Sequence, residues 1–400
     1  MSAPKGWKWG SLGDVVEVNR AALPENCDPE KVFYYLDLGS IDLGRVSFPE
    51  SRIKFREAPS RARRIFERGD VLMATVRPQL GGHGYVAFEV LDHICSTGFA
   101  VLHPKNGAEG RFIFQTLFSP WMQKQYLGLT SGSSYPALNA TQVAELELLV
   151  PPEGEQQRIA LVLDCWDAAI VKAQAFHGVA CDRKQGLMQQ LLTGQTRFKE
   201  FKGEPWRSVR IGSLLEECDR YVAWSDDTAY QFASIRRRSG GLFDRGTFYG
   251  REVKTKVLKL LKAGDFVISK RQVVHGAWAM VTKPFDGFGV SDEYDVLVNR
   301  DPKVLDMRFF DYLSQTRRLW HMAYLASNGV HIEKLIFDFD DFAKEKVRIP
   351  PTVQEQAKIV DVLSACDREI ELLQKQLAAL KEQKRGLMQK LLTGEVRVKV

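Results

Sequence analysis

Glu355-Gln356-Ala357-Lys358-Ile359 opens a stretch that closes on Gly386-Leu387-Met388-Gln389-Lys390-Leu391-Leu392-Thr393-Gly394. The chain has already written this stretch once, 200 residues earlier, from Glu155-Gln156 to Gly186-Leu187-Met188-Gln189 and Leu191-Leu192-Thr193-Gly194, with 17 of 40 positions identical and no gap. Self-similarity at so long a period means that a domain is repeated along with the segment. In the second copy Ile359, Leu363, Cys366, Ile370, Leu373, Leu377, Leu380, Lys384, Leu387 and Leu391 step by four and three throughout, which is a heptad seam on a long helix. The first copy keeps that register in Ile159, Leu163, Trp166, Ile170, Ala173, His177, Ala180, Lys184, Leu187 and Leu191, and is weaker in the middle.

The start and stop signals agree with two helices. Pro151-Pro152 and Pro350-Pro351 precede them, Thr352-Val353-Gln354-Glu355 reads as a capping box, and Gly194 and Gly394 stand where a left-handed cap is expected. At 1.5 Å per residue each helix would be roughly 57 Å long, more than a compact domain requires. A lone heptad seam suggests a dimerisation element. Two copies in one chain find each other at high effective concentration, and the return of the chain between them predicts an antiparallel pair used as a rigid spacer. Lys184 and Lys384 fall on the seam, either as polar residues that set the register or as points where the pair splays.

Working outward, 1–150 and 200–349 have short apolar runs, glycine punctuation and single helical stretches, so each reads as an α/β or α+β globule. They correspond faintly. Gly6-Trp7 and Leu12-Gly13 match Pro205-Trp206 and Ile211-Gly212; Gly69-Asp70-Val71-Leu72 matches Gly264-Asp265-Phe266-Val267; Ser96 through Leu102 matches Ser291 through Leu297. A helical stretch from Arg111 to Leu127 answers one from Arg308 to Leu325. The expected class is α+β: a globule at 1–150, a spacer helix at 151–199, a globule at 200–349 and a spacer helix at 350–400, with the helices as an antiparallel coiled coil and pseudo-twofold symmetry.

Composition leaves room for this plan. The 400 residues are 44% hydrophobic and 26% charged, which excludes disordered and low-complexity classes. No run of 18 apolar residues occurs and Met1-Ser2-Ala3-Pro4-Lys5-Gly6-Trp7 has no apolar signal region, so a soluble, cytoplasmic protein is expected, with no membrane partner. Six cysteines without a C-x-x-C pair argue against a zinc site or a disulfide framework. Lys and Arg number 56 against 50 Asp and Glu, an excess that permits nucleic acid without demanding it.

The loops carry the candidate contacts. Arg52, Lys54, Arg56, Arg61, Arg63, Arg64 and Arg68 crowd the first globule, and Arg77 and Gln79 follow the strand Val71-Leu72-Met73-Ala74-Thr75. In the second globule Arg236-Arg237-Arg238 forms a basic run, and Lys270-Arg271-Gln272 takes the place of the Arg77 loop. Arg and Gln suit guanine and adenine edges in the major groove, while Lys and the remaining Arg neutralise phosphate. Any single one of these is more often a solvated surface residue; the clusters argue better than their members. Polar turns holding Ser131, Ser133, Ser134 and Tyr135, and Asn328 and His331, offer N–H groups and hydroxyls to phosphate, or serve as ordinary loops.

Catalytic signatures are missing. There is no G-x-x-x-x-G-K-[ST] loop, no G-x-G-x-x-G between strand and helix, no Gly-x-Ser-x-Gly, and no Asn-Pro-Pro-aromatic tetrapeptide, and the seven histidines lack metal-ligand spacing. Asp244 with Glu252-Val253-Lys254 has the acid and lysine spacing of a metal-dependent nuclease, a pattern that arises often by chance. The chain reads as one that recognises without reacting, with no catalytic residue and no metal.

Together, the duplicated Pro-Pro, Glu-Gln and Ile-x-x-x-Leu openings, the Gly-Leu-Met-Gln and Leu-Leu-Thr-Gly endings, and the globules with Trp near the start and Gly-Asp before a strand resemble the specificity subunits of type I restriction-modification systems. The resemblance spans essentially the whole chain, with Thr75-Val76-Arg77-Pro78 fitting the family pattern and Lys270-Arg271-Gln272-Val273 departing from it. It implies two target-recognition domains that read the halves of an asymmetric bipartite double-stranded DNA target, with the helices fixing the gap. It further implies two methyltransferase subunits bringing S-adenosylmethionine, restriction subunits bringing ATP and Mg²⁺, and no cofactor bound by this chain. The competing readings are a coiled-coil scaffold that binds no DNA, and a nuclease using Asp244 and Glu252.

Overall fold

The protein is described by a computed structural model that covers residues 3–42, 44–105, 107–130 and 136–399. Two compact units form, one from Met1–Ala175 with Gln374–Val400 and the other from Phe176–Leu373. The long helices run Glu153–Leu191 and Val353–Leu392, so each unit holds one globule with a portion of both helices.

Within each unit those two portions run antiparallel. In unit one Asp167 receives Lys384 at 2.6 Å; in unit two Asp367 receives Lys184 at 2.6 Å. Each seam lysine is therefore ion-paired with an aspartate of the other long helix, and the two aspartates are themselves a repeat. Ile159, Leu163 and Leu391 are buried in unit one, and Leu191, Ile359, Leu363 and Cys366 in unit two. Trp166, Ile170, Leu187, Ile370, Leu373, Leu377, Leu380 and Leu387 are half-buried along the same seam.

The globules share one topology. In unit one, a sheet ordered Ile53–Lys54, Val32–Leu36, His93–Ser96, Ala62–Ile65 accompanies one ordered Val16–Val18, Phe99–Pro104, Val71–Ala74, Gly84–Tyr85. Unit two repeats this as Leu242–Tyr249, Ala229–Ile235, Gly289–Val290, Lys259–Leu260 and as Leu215–Glu217, Tyr294–Asn299, Phe266–Ser269, Trp278–Met280. Each adds an antiparallel ribbon, Lys8–Ser11 with Glu147–Val150 and Arg207–Arg210 with Lys346–Ile349.

The repeated Gly-Asp is a turn device. Gly69 and Gly264 hold φ of 95° and 94°, where a side chain would be strained, and Asp70 and Asp265 accept the Glu67 and Lys262 N–H at 2.7 Å, closing the turn into the strand.

Globule and helices share one core in each unit. Trp7, Leu12, Phe112 and Tyr126 pack with Ile159, Leu163 and Leu391; Trp206, Ile211, Phe309 and Phe342 pack with Leu191, Ile359 and Leu363. Removing that apolar surface from water holds each globule firmly on its helix pair.

Two local expectations are corrected. The stretch from Arg111 to Leu127 is two helices, Gly110–Thr116 and Pro120–Thr130, because Pro120 cannot continue the first and Ser119 Oγ accepts the Met122 N–H. That from Arg308 to Leu325 likewise divides into Met307–Ser314 and Arg317–Leu325, with Thr316 capping the second. The capping box at Thr352 is half made: Thr352 Oγ1 accepts the Glu355 N–H at 3.3 Å, but the Glu355 carboxylate turns to Arg197 and Trp206. A guanidinium and an indole outbid one backbone N–H.

Candidate nucleic-acid interface

The loop after the Gly-Asp strand is the centre of each globule's candidate face. In unit one, Val76 bridges Ala137, the Arg77 N–H donates to the Pro136 carbonyl at 2.9 Å, and the Leu138 N–H donates to the Thr75 carbonyl at 3.0 Å. Arg77 is thereby set beside the chain that leads out of the polar turn. Ser131, Ser133, Ser134 and Tyr135 themselves lie outside the described residues. Arg77 is exposed, holds φ at 49°, and has no ion-pair partner among the described residues. A strained non-glycine backbone with a free guanidinium is what a presented recognition residue needs. Gln79 follows with its Oε1 buried and lacking a hydrogen bond among the described residues.

Unit two assembles three candidate groups at the equivalent place. The Phe337 N–H donates to the Lys270 carbonyl at 2.9 Å, and Asn328 pairs with Ile336, which brings the 270–272 loop against the Ser327–Asn328 strand. The Arg238 and Ser239 N–H groups donate to the His275 and Gly276 carbonyls at 2.7 and 2.8 Å, and Arg237 Nε donates to Gln272 Oε1 at 2.8 Å. Both post-strand loops run into a short 3₁₀ turn, Pro78–Leu80 and Val273–His275, that ends on a left-handed glycine, Gly81 or Gly276. The two loops are equivalent despite their different sequences.

Charge is not equally available across these residues. Lys270 Nζ lies 3.0 Å from Asp295, a buried carboxylate that burial pushes up and that Lys270 pulls back, and Arg271 pairs with Glu293 at 2.5 Å. Lys54 and Arg56 both engage Glu30, Arg68 pairs with Glu89, and Arg52 pairs with Asp92 at 3.7 Å while lying over Tyr34. Arg63 stacks on Phe55, Arg236 stacks on Phe243, and Arg64 is half-buried with an unsatisfied Nε. Arg61, Arg77 and Arg238 are exposed without an ion-pair partner among the described residues, and Asn328 and His331 are exposed beside the loop of unit two.

What the sequence did not disclose is how the frame is held. Trp7 Nε1 donates to Glu155 at 3.1 Å, and Arg397 clasps the same carboxylate; Trp206 Nε1 donates to Glu355 at 3.1 Å, and Arg197 clasps that one at 2.8 Å. Arg397, then Trp7, holds the Glu155 carboxyl below its ordinary value against the opposing effect of burial. The neighbouring glutamines accept the Glu109 and Asp306 N–H groups at 2.9 and 2.8 Å, at the starts of the Gly110–Thr116 and Met307–Ser314 helices. The repeated Glu-Gln is thus a clamp between helix and globule. Its signal was present in Arg197 and Arg397, each three residues past the repeated glycine.

The nuclease spacing gains no support from its geometry. Asp244 accepts the Gly246 N–H and the Gln231 amide, Glu252 accepts the Tyr249 N–H, and no group of three His, Cys, Asp or Glu among the described residues is placed to hold a metal ion. Among the described residues no helix is long and apolar enough to cross a membrane, and the six cysteines are free.

The type I restriction modification DNA specificity domain model matches residues 4–175 and 203–382. A putative type I restriction enzyme specificity subunit, MjaX, of Methanocaldococcus jannaschii is 25% identical over 99% of this chain and 95% of its own length. The HindI specificity subunit of Haemophilus influenzae is 26% identical over 41% of this chain and 36% of its own length. Among solved structures, a chain from a study of type I R-M complex assembly superposes with a TM-score of 0.64 at 23% identity, covering 99% of this chain and 100% of that one. The HsdS subunit of Thermoanaerobacter tengcongensis gives 0.52, also at 23% identity, over 99% of each chain.

Proposed function

The chain belongs to the type I restriction modification DNA specificity family, and from that premise we propose that each unit reads one half of an asymmetric bipartite duplex target. The chain is a DNA specificity subunit and is non-catalytic. The observation that carries the bipartite reading is the contrast at one fold position: a shared turn and strand present Thr75-Val76-Arg77 in unit one and Lys270-Arg271-Gln272 in unit two. A shared frame with different presented side chains specifies different bases.

In this reading Arg77 contacts base edges, Arg61 and Arg238 neutralise phosphate, and Asn328 and His331 approach the backbone of the DNA. The regions 1–150 and 200–349 act as target-recognition domains, and 151–199 and 350–400 as the spacer that fixes the gap. Two methyltransferase subunits dock on the helices. Phe176 and Val179, exposed one turn apart on the first long helix, and exposed Leu372 on the second supply apolar surface for them. Those partners bring S-adenosylmethionine, and restriction subunits bring ATP and Mg²⁺.

The test is co-expression with the partnering methyltransferase subunit and single-molecule mapping of N6-methyladenine across the host genome. A split motif with a fixed gap, lost when this chain is deleted, is expected. An unsplit motif, or methylation indifferent to this chain, overturns the reading.

A further inference from the structure

The two units also differ in charge at a place remote in sequence from the post-strand loops. In unit two the ribbon register sets Ser208 opposite Arg348 and Arg210 opposite Lys346, all on one face, while Val347 and Ile349 turn inward at 1% exposure. Arg318, on the Arg317–Leu325 helix, donates to the Lys346 carbonyl at 3.4 Å, which brings Arg317 and Arg318 alongside. Arg210, Arg317, Arg318, Lys346 and Arg348 are all exposed, and none has an ion-pair partner among the described residues. Other cations of this unit are paired with acids, as Arg220 is with Asp265 and Arg300 with Glu216.

The arrangement is unfavourable on its own, because like charges directly opposite in an antiparallel pair repel. Nor does the frame require it: at the matching ribbon positions unit one has Trp9 opposite Leu149 and Ser11 opposite Glu147, and its adjoining helix begins Pro120-Trp121. Trp9 and Trp121 lie 5.4 Å apart there. Identical partner subunits docking equivalently on both units would meet an aromatic face on one and a cationic face on the other. The cationic face therefore suits a ligand that need not be duplicated.

We propose that the outer face of the Arg207–Arg210 and Lys346–Ile349 ribbon, with Arg317 and Arg318, is a phosphate-binding surface that holds duplex DNA independently of its sequence. The inference rests on the DNA-reading function and extends it. Duplex DNA is favoured over an acidic protein because the outward side chains of the ribbon are serine, lysine and arginine, with none of the apolar anchors that stabilise protein interfaces.

The experiment uses the full chain assembled with its methyltransferase subunits. Binding to a duplex carrying the mapped motif and to a random-sequence duplex is titrated over a range of salt concentrations. In the triple variant Arg210→Gln, Lys346→Gln, Arg348→Gln, the slope of log K against log salt should shrink by about 0.9 for each phosphate contact removed, equally on both duplexes, with the preference for the motif preserved. The single variant Arg348→Gln should give part of that change, which guards against misfolding of the triple variant. An unchanged slope overturns the proposal, as does loss of a protein subunit from the assembly at unchanged slope, which would assign the face to protein. Failure of the unaltered complex to prefer the motif would instead sink the reader assignment, and that arm is scored separately.

Discussion

The two units hold the same clamp at different depths. In unit two the Glu355 side chain is 1% exposed and its Arg197 partner 14%; in unit one Glu155 is 7% exposed and Arg397 39%. Repetition has preserved the chemistry while the surroundings set how dry it is. A charge with access to water can be rehydrated when its partner is lost, and a buried one cannot.

The largest expected effect breaks that comparison open. Glu355→Ala should cost about 3–5 kcal/mol of stability, because Arg197, only 14% exposed, loses its counter-charge and keeps only the Phe201 and Glu204 carbonyls, whereas Glu155→Ala should cost about 1–2 kcal/mol. Urea unfolding of the two variants checks this, and equal losses would show that depth is not what distinguishes the clamps. Acid adds a sign. The Glu155 carboxyl is held low in the folded state, so its contribution is present above the ordinary carboxylate pKa and drains away as pH falls through the folded value.

Next comes the contrast between the two post-strand loops. Arg77→Ala should weaken binding by about 1–3 kcal/mol and relax one half of the methylated motif while leaving the other half intact. Lys270→Ala should act chiefly on stability, since it strips the buried Asp295 of its counter-charge. Methylome mapping beside thermal melting separates the two outcomes.

The smallest effect concerns one framework position where the units diverge. Asp311 accepts the Met280 N–H at 2.8 Å, and burial pushes its pKa up to about 6; unit one has Phe114 at the matching place. A raised carboxyl favours the folded state while it is protonated and disfavours it as pH rises through about 6. Asp311→Asn keeps an acceptor for Met280 and should stabilise by on the order of 1 kcal/mol at pH 8, with no gain at pH 4. Chemical unfolding at the two pH values measures the difference.

Much of the fold was legible because its signals are local and doubled. The four-three spacing from Ile359 to Leu391 announces a helix face, and its echo from Ile159 to Leu191 says that the face has a partner in the same chain. Gly69-Asp70 and Gly264-Asp265 mark turns through backbone needs that depend on few neighbours. The candidate face was less legible. Clusters of basic residues were visible, but which cations keep a free charge depends on acids distant in sequence, as with Arg56 and Glu30 or Lys270 and Asp295. The unpaired group at Arg210, Lys346 and Arg348 escaped notice, because it is assembled from strands at opposite ends of a globule.

The sequence by itself determined the duplication, the two long helices, the α+β globule that precedes each and the absence of catalytic signatures, since each rests on periodicity or on short motifs. Only the tertiary structure decided that Lys184 and Lys384 pair with Asp367 and Asp167, that Glu155 and Glu355 fasten globule to helix, and which arginines remain available to a ligand. The physical reason is the same in each case. A charge acquires its role from its partner and from the water left around it, and both are set by residues that the chain brings together only when folded.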